Sequence, residues 1–126
     1  MIKNIPQFKE MATVIINSLK NHDGVHAAVG NKIFPLVAPL NTKGDHISYM
    51  RDGVELTTSK MDGFAKFQVF FLVSIVSDDY LRALEISDEV FDALVGYHGG
   101  FKIEFKDLKE SLYDQKFVLI LQFSIR

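Results

Sequence analysis

The residue types that most often do chemistry are present in this chain, but their spacing does not assemble a reaction site. His22 and His26 are four residues apart, a spacing that lets two imidazoles share a metal ion when both lie on one helix. Asp23 and Gly24 fall between them, where the preceding helix is predicted to end. No third ligand pattern lies nearby. We therefore interpret both histidines as solvated loop residues, and we predict no metal site.

Carboxylates are concentrated around one predicted helix: Asp78, Asp79, Glu85, Asp88, Glu89 and Asp92. General acid–base catalysis would need two of them in a shared cleft with shifted pKa values. On a helix these positions mostly fall away from the apolar stripe. They are therefore interpreted as a solvated face or as a charged contact with another subunit.

Nucleophile and phosphate-binding motifs are absent from the sequence. The chain has no cysteine, and its serines lack the glycine frame of a nucleophile elbow. The segment Gly96–Gly100 lacks the spacing and the following Lys-Ser of a phosphate loop. The basic residues of the middle loops are scattered among acids: Lys32, Lys43, Arg51, Lys60 and Lys66. We predict no catalytic residue and no cofactor, which excludes an enzyme as the leading interpretation.

Length and composition limit the class of protein further. The chain has 126 residues, which suits one domain spanning 1–126. Its 14 basic and 16 acidic residues leave a net charge of −2, so a nucleic-acid partner is not expected. The N-terminus lacks the apolar run of a signal peptide. No window approaches the ~18 apolar residues of a membrane helix. The sequence predicts a soluble intracellular protein.

Hydrophobic periodicity predicts two helices and four strands. The helices are expected over about 7–20 and 79–95, and the strands over 46–51, 66–77, 101–105 and 116–126. Asp52-Gly53 is predicted to be a turn, and 32–34 a short extended piece entering a loop. The order is α-β-β-α-β-β. It predicts an α+β fold in which two helices pack on one face of an antiparallel four-stranded sheet.

Two of these strands are apolar on both faces. Phe117, Leu119 and Leu121 lie on a core face of the last strand, since alternate side chains share a face. The opposite faces carry Phe70, Leu72, Val118 and Ile120. An antiparallel sheet normally leaves its second face polar. These four residues are therefore predicted to be a subunit interface.

The polar segment from Val54 to Ala65 is predicted to be a hairpin tip. Its residues Thr57, Thr58, Ser59 and Lys60 could form an arm that contacts a partner. The same composition also suits a mobile tip with no partner. The sequence leaves both interpretations open.

The order of the elements carries a family resemblance across nearly the whole chain. The pieces are an N-terminal amphipathic helix, the segment Gly30–Pro39, the strand His46–Tyr49, the helix with Asp79, Tyr80, Val90 and Leu94, and a hairpin with Tyr113, Phe117 and Phe123. Together they resemble the small tail-completion and tail-terminator proteins of long-tailed bacteriophages and prophages. His46 departs from that pattern, because a proline usually precedes the strand.

The resemblance implies a non-enzymatic structural protein. Such proteins form a ring, commonly of six subunits, at the head-proximal end of the tail tube, where the ring ends polymerisation and joins tail to head. The implied partners are further copies of the chain and the tail-tube and head-completion proteins, with DNA only passing through the ring. The implied location is the host cytoplasm during assembly and then the virion tail.

Two other functions remain open on the sequence alone. A small α+β ligand-binding or regulatory domain could dimerise through its sheet and would need a pocket between helices and sheet. A small enzyme could use a histidine or carboxylate site, although no pair of such groups is placed together by spacing.

Overall fold

The structure, a computed structural model, describes residues 7–58 and 65–126. The helices are α1 (Phe8–Lys20), α2 (Asp23–Val29) and α3 (Tyr80–Leu94). The strands are β1 (Ile33–Pro35), β2 (His46–Thr58), β3 (Ala65–Ser77), β4 (Gly96–His98), β5 (Phe101–Tyr113) and β6 (Lys116–Ile125). They form one six-stranded sheet in the order β1-β2-β3-β6-β5-β4. All neighbours are antiparallel except β1 and β2.

The predicted antiparallel four-stranded sheet with two helices is therefore wrong. The sheet is mixed, because β1 runs parallel to β2 with Ile33 opposite Ile47, and α2 adds a third helix. The prediction did not include β1 and β4 among the strands or α2 among the helices. These elements have only three, three and seven residues, respectively. Segments this short show no full hydrophobic period, so their structure depends on the neighbours they pair with.

Two strands are longer than their sequence patterns predict because each contains a β-bulge. The register of β2 against β3 shifts between Arg51 and Gly53, at the position predicted to be a turn. The register of β5 against β6 shifts between Phe105 and Asp107. An extra residue reverses the alternation of the side chains that follow it. In the sequence, a strand that continues past a bulge therefore looks like a shorter strand followed by a polar loop.

The core lies between the helices and one face of the sheet. α1 contributes Met11, Ile15 and Leu19, which are four residues apart and buried on one side of the helix. The sheet contributes alternate residues of β3 and β6: Val69, Phe71, Val73, Ile75, Leu119, Leu121, Phe123 and Ile125. We call this the inner face of the sheet and the opposite one the outer face. The inner alternation of the two central strands is as predicted.

Candidate interaction surfaces

His22 has a structural role that its sequence context did not reveal. It is the N-cap of α2, where its Nδ1 accepts a hydrogen bond from the amide of Val25 at 3.2 Å. The Nε2 atom must then carry the proton, which it donates to Asp92 Oδ2 at 2.8 Å. His22 therefore lies in the connection between α1 and α2, as predicted, but its ring is partly buried and caps α2 rather than being free in solvent. His26 is exposed, but it lies within α2 rather than in a loop. Across 7–58 and 65–126, no three His, Cys, Asp or Glu side chains are grouped to hold a metal ion.

The other two partly buried histidines also support the fold. His46 Nδ1 donates to the carbonyl of Gly44 at 3.1 Å, and its ring lies edge-on to Phe34. His98 Nε2 donates to the carbonyl of Leu94 at 2.9 Å, beyond the end of α3. Both rings thus satisfy backbone carbonyls at the ends of elements. The hydroxyl of Ser18 donates to Nδ1 of His98 at 3.3 Å, so both nitrogens of that ring are hydrogen-bonded within the fold.

The carboxylates near α3 cap the helix or form ion pairs and hydrogen bonds at the surface. Asp79 is the N-cap and accepts a hydrogen bond from the amide of Leu81 at 3.1 Å. Asp78 lies 2.8 Å from Lys116 Nζ, and this hydrogen bond raises the pKa of Lys116. Tyr80 donates its hydroxyl to Glu110, which raises the pKa of that phenol. These contacts tie the start of α3 to β5 and β6.

Removing the N-cap of α3 is expected to lower the stability of the chain measurably. We expect Asp79→Ala to lower the free energy of unfolding by about 1 kcal/mol, because the amide of Leu81 loses its acceptor. Asp78→Ala is the matched control, since it removes only an exposed ion pair, and such surface pairs contribute little to stability. Urea denaturation followed by circular dichroism measures both. Equal losses in the two variants would contradict the capping role.

The outer face holds the four residues predicted to be a subunit interface. Phe70, Leu72, Val118 and Ile120 are all partly exposed on the two central strands. Among the residues that the structure describes, no helix covers this face. A depression of about 240 Å³ lies on this face. Leu72 and Ile120 form its apolar side, and Gln122, which donates to Asp52 at 3.0 Å, forms part of its polar border. The interface itself remains a prediction.

The hairpin of β2 and β3 extends past the rest of the sheet. β6 ends at Ile125, opposite Val69, so no third strand of the described chain joins the pairs from Glu55–Gln68 to Thr58–Ala65. We call residues 54–58 and 65–68 the β2–β3 arm. Of the predicted contact arm, Thr57 and Thr58 end this hairpin on β2. The predicted contact residues Ser59 and Lys60 lie outside the described residues.

A second exposed apolar surface lies at the opposite edge of the sheet. It comprises Leu81 and Phe91 of α3 with Phe105, Leu108 and Leu112 of β5, and we call it the α3–β5 strip. Phe91 packs on Phe105 with ring centroids 5.4 Å apart, which joins the helix to the strand. β4 pairs only with Phe101–Ile103, so within the described ranges no strand pairs with the outer edge of β5 beyond Ile103.

Sequence reasoning missed this strip because it treated 107–114 as a polar connection. The bulge at Lys106 adds one residue after Phe105, so Leu108 and Leu112 lie on the inner face one residue out of phase with a regular strand. The available signal was the spacing of Leu108, Glu110 and Leu112, which alternates once the bulge is allowed for.

Comparison with known proteins identifies the fold. No protein-family model matches the chain, and no curated protein matches it. A chain in a solved structure described as "Virion of native gene transfer agent (GTA) particle" superposes with a TM-score of 0.71. The two chains are 19% identical, and the match covers 90% of this chain and 91% of the other. That likeness shows a shared fold. None of the described helices has the length and apolar character needed to cross a membrane.

Proposed function

We propose that this protein is a non-enzymatic structural component of a phage-like particle. It forms a ring at the head-proximal end of a tail tube, ends tube polymerisation and joins the tail to the head. One observation carries the proposal: about nine-tenths of this chain and of a chain in a gene transfer agent virion share one fold. The ordered motifs from Gly30–Pro39 to the final hairpin support the same assignment independently.

The exposed apolar surfaces support self-assembly. A ring uses a head-to-tail contact, in which two different patches of each subunit meet. The chain presents exposed apolar residues at several separate places, among them Leu56 on the β2–β3 arm and Leu112 on the α3–β5 strip. Exposed apolar patches such as the α3–β5 strip are typical of partner surfaces.

The outer face is the second element of the proposal. Phe70, Leu72, Val118 and Ile120 form an interface with a neighbouring subunit or with the tail-tube protein. Their support is chemical, because four partly exposed apolar side chains on the solvent side of an antiparallel sheet are unfavourable without a covering partner.

The remaining partners follow from the ring. Tail-tube and head-completion proteins contact its two ends, and DNA passes through its centre without being bound specifically. Assembly takes place in the host cytoplasm, and the finished ring stays in the virion tail. DNA must pass through the channel without being retained. The net charge of −2 suits this role, because the chain has no excess of basic groups to bind phosphates.

The test has two measurements on the full chain. Size-exclusion chromatography with light scattering is expected to show a species of about six times the 14.3 kDa subunit, alone or with tail-tube protein. Electron microscopy of polymerising tail tubes is expected to show tubes capped and no longer growing when the chain is added. A chain that neither associates nor limits tube growth contradicts the proposal.

The matched variants address the outer face. Leu72→Asp combined with Ile120→Asp is expected to dissociate the assembly while the far-ultraviolet circular dichroism stays that of the folded chain. Tyr97→Asp is the control, because Tyr97 is more exposed than either residue and lies outside the outer-face patch. Loss of the assembly in the control as well would show a general charge effect rather than an interface.

An apolar groove is relevant to the alternative function, a ligand-binding domain. An apolar groove of about 230 Å³ lies between α1 and the sheet, lined in part by Met11, Ile15, Tyr49 and Phe71. Binding sites for small molecules usually exceed ~300 Å³, a size that the open depression of about 430 Å³ beside Val14 and Phe101 reaches. A dimer at every concentration, carrying a small molecule through purification, would favour this alternative over the ring.

A further inference from the structure

We infer that the β2–β3 arm of one copy of this chain docks on the α3–β5 strip of the next copy. The inference rests on the proposed ring and names the two surfaces that make it. The arm is the projecting end of β2 and β3, and the strip lies at the opposite edge of the sheet. Because the two patches differ, the contact is head-to-tail, which is the kind that closes into a ring.

The arm has the character of an element that needs a partner. A hairpin of only two strands is marginally stable in water. Val54 lies opposite the buried Val69, and Leu56 lies opposite Phe67, so both point to the inner side of the sheet. Leu56 is nevertheless 56% exposed and Val54 is 44% exposed. The arm thus presents a short apolar stripe that its own chain leaves uncovered.

The strip offers a receptor of the same kind. Leu108 lies opposite Leu121, and Leu112 lies opposite Phe117, which places both on the inner side of β5. Leu112 is 64% exposed and Leu81 is 66% exposed, so both present apolar surface that this chain leaves uncovered. Apolar side chains from the arm would bury this surface at the subunit boundary.

The charges around the two patches are complementary on the helix side of the sheet. α3 exposes Glu85, Asp88 and Asp92 beside the strip. Its one base, Arg82, lies 3.3 Å from Asp45 and 3.2 Å from Glu85. The side of the sheet that bears the arm exposes Lys9 and Arg51, and the guanidinium of Arg51 stacks 4.6 Å from the ring centroid of Phe8. Opposite potentials orient two copies head to tail.

The edge of β5 also limits where a partner can bind. Lys106, at the bulge, and Lys109 are charged residues on an exposed edge strand, a combination that disfavours unspecific strand pairing. Docking is therefore through the side chains of the strip, in a defined register, rather than through endless extension of the sheet.

The absence of cysteine from the native sequence makes the contact directly testable. The test variant carries Leu56→Cys and Leu108→Cys together and is oxidised with copper phenanthroline. Strands β3 and β6 separate the two positions within one chain by at least ~14 Å across the sheet, beyond the reach of a disulfide. Any disulfide between them therefore joins two molecules. Both residues are substantially exposed, so the cysteines are tolerated by the fold.

The expected result is a ladder of covalent multimers on a non-reducing gel. We expect about tenfold more dimer than from Leu40→Cys with Leu108→Cys, because a docked contact raises the effective concentration of the thiols. Leu40 is fully exposed, so this control measures chance collisions. Each single-cysteine variant is expected to give no excess, since the contact pairs two different patches.

Other outcomes overturn the inference in distinguishable ways. Dimers from Leu56→Cys alone would show that two arms meet symmetrically. No excess cross-linking, with a six-subunit species still present, would leave the ring standing and remove this contact. A cross-linked ladder that fails to limit tail-tube growth would establish the contact and contradict tube termination.

Discussion

We expect Val73→Asp to prevent the chain from folding. Val73 has no exposed surface, and it lies between Tyr49 of β2 and Leu121 of β6 in the sheet. An ionised carboxylate there would have neither water nor a positive partner, which costs several kcal/mol. That is comparable with the ~5–15 kcal/mol that stabilises a whole domain. Circular dichroism and the elution volume of the purified variant measure the effect.

The adjacent residue provides the control for this prediction. Leu72 points to the outer face and is only partly buried, so Leu72→Asp can keep its carboxylate in water. We expect this variant to fold, with a urea midpoint close to that of the wild type. If Leu72→Asp unfolds the chain as Val73→Asp does, the outer face is part of the core. The interface proposed for Phe70, Leu72, Val118 and Ile120 would then be wrong.

We expect Phe123→Ala to lower the free energy of unfolding by about 3–5 kcal/mol. Phe123 is wholly buried at the centre of the aromatic cluster on the inner face. Its ring stacks on Phe71 with centroids 5.4 Å apart and meets the edge of Phe105 at 5.8 Å. Truncation removes the transfer energy of the ring and leaves a cavity that neighbouring strands cannot collapse.

Urea unfolding of both Phe123→Ala and a matched aromatic variant measures this loss. Phe91→Ala is the control, because Phe91 is 43% exposed and packs on Phe105 at the surface. Its truncation is expected to cost about 1–2 kcal/mol, in proportion to the apolar area it buries. Similar losses for the two variants would contradict the position of Phe123 at the centre of the core.

The long elements could be predicted from the sequence because each repeats its pattern several times. The helix with Met11, Ile15 and Leu19 shows more than two full turns of apolar spacing. The strand ending at Ile125 alternates over its whole length, so its inner face could be assigned before any contact was known. Asp79 could be proposed as a cap for the same local reason, since a cap is set by the residues beside it.

The candidate surfaces were only partly predictable. The apolar outer residues of β3 and β6 follow from alternation alone, and the structure leaves them partly exposed. The α3–β5 strip was not predicted, because its residues come from elements that are far apart in sequence. Phe91 and Phe105 meet only when α3 lies across the inner face of β5.

The sequence by itself therefore determined the long helices, the central strands and the faces of those strands, because periodicity is a local property. The tertiary structure alone decided that β1 joins the sheet in parallel, that His22 caps α2, and that the strands continue past Asp52 and Lys106. Short strands and bulges gain their hydrogen bonds from residues distant in the chain. Pairing with those distant residues is what stabilises the short strands and bulges, so no local sequence pattern predicts them.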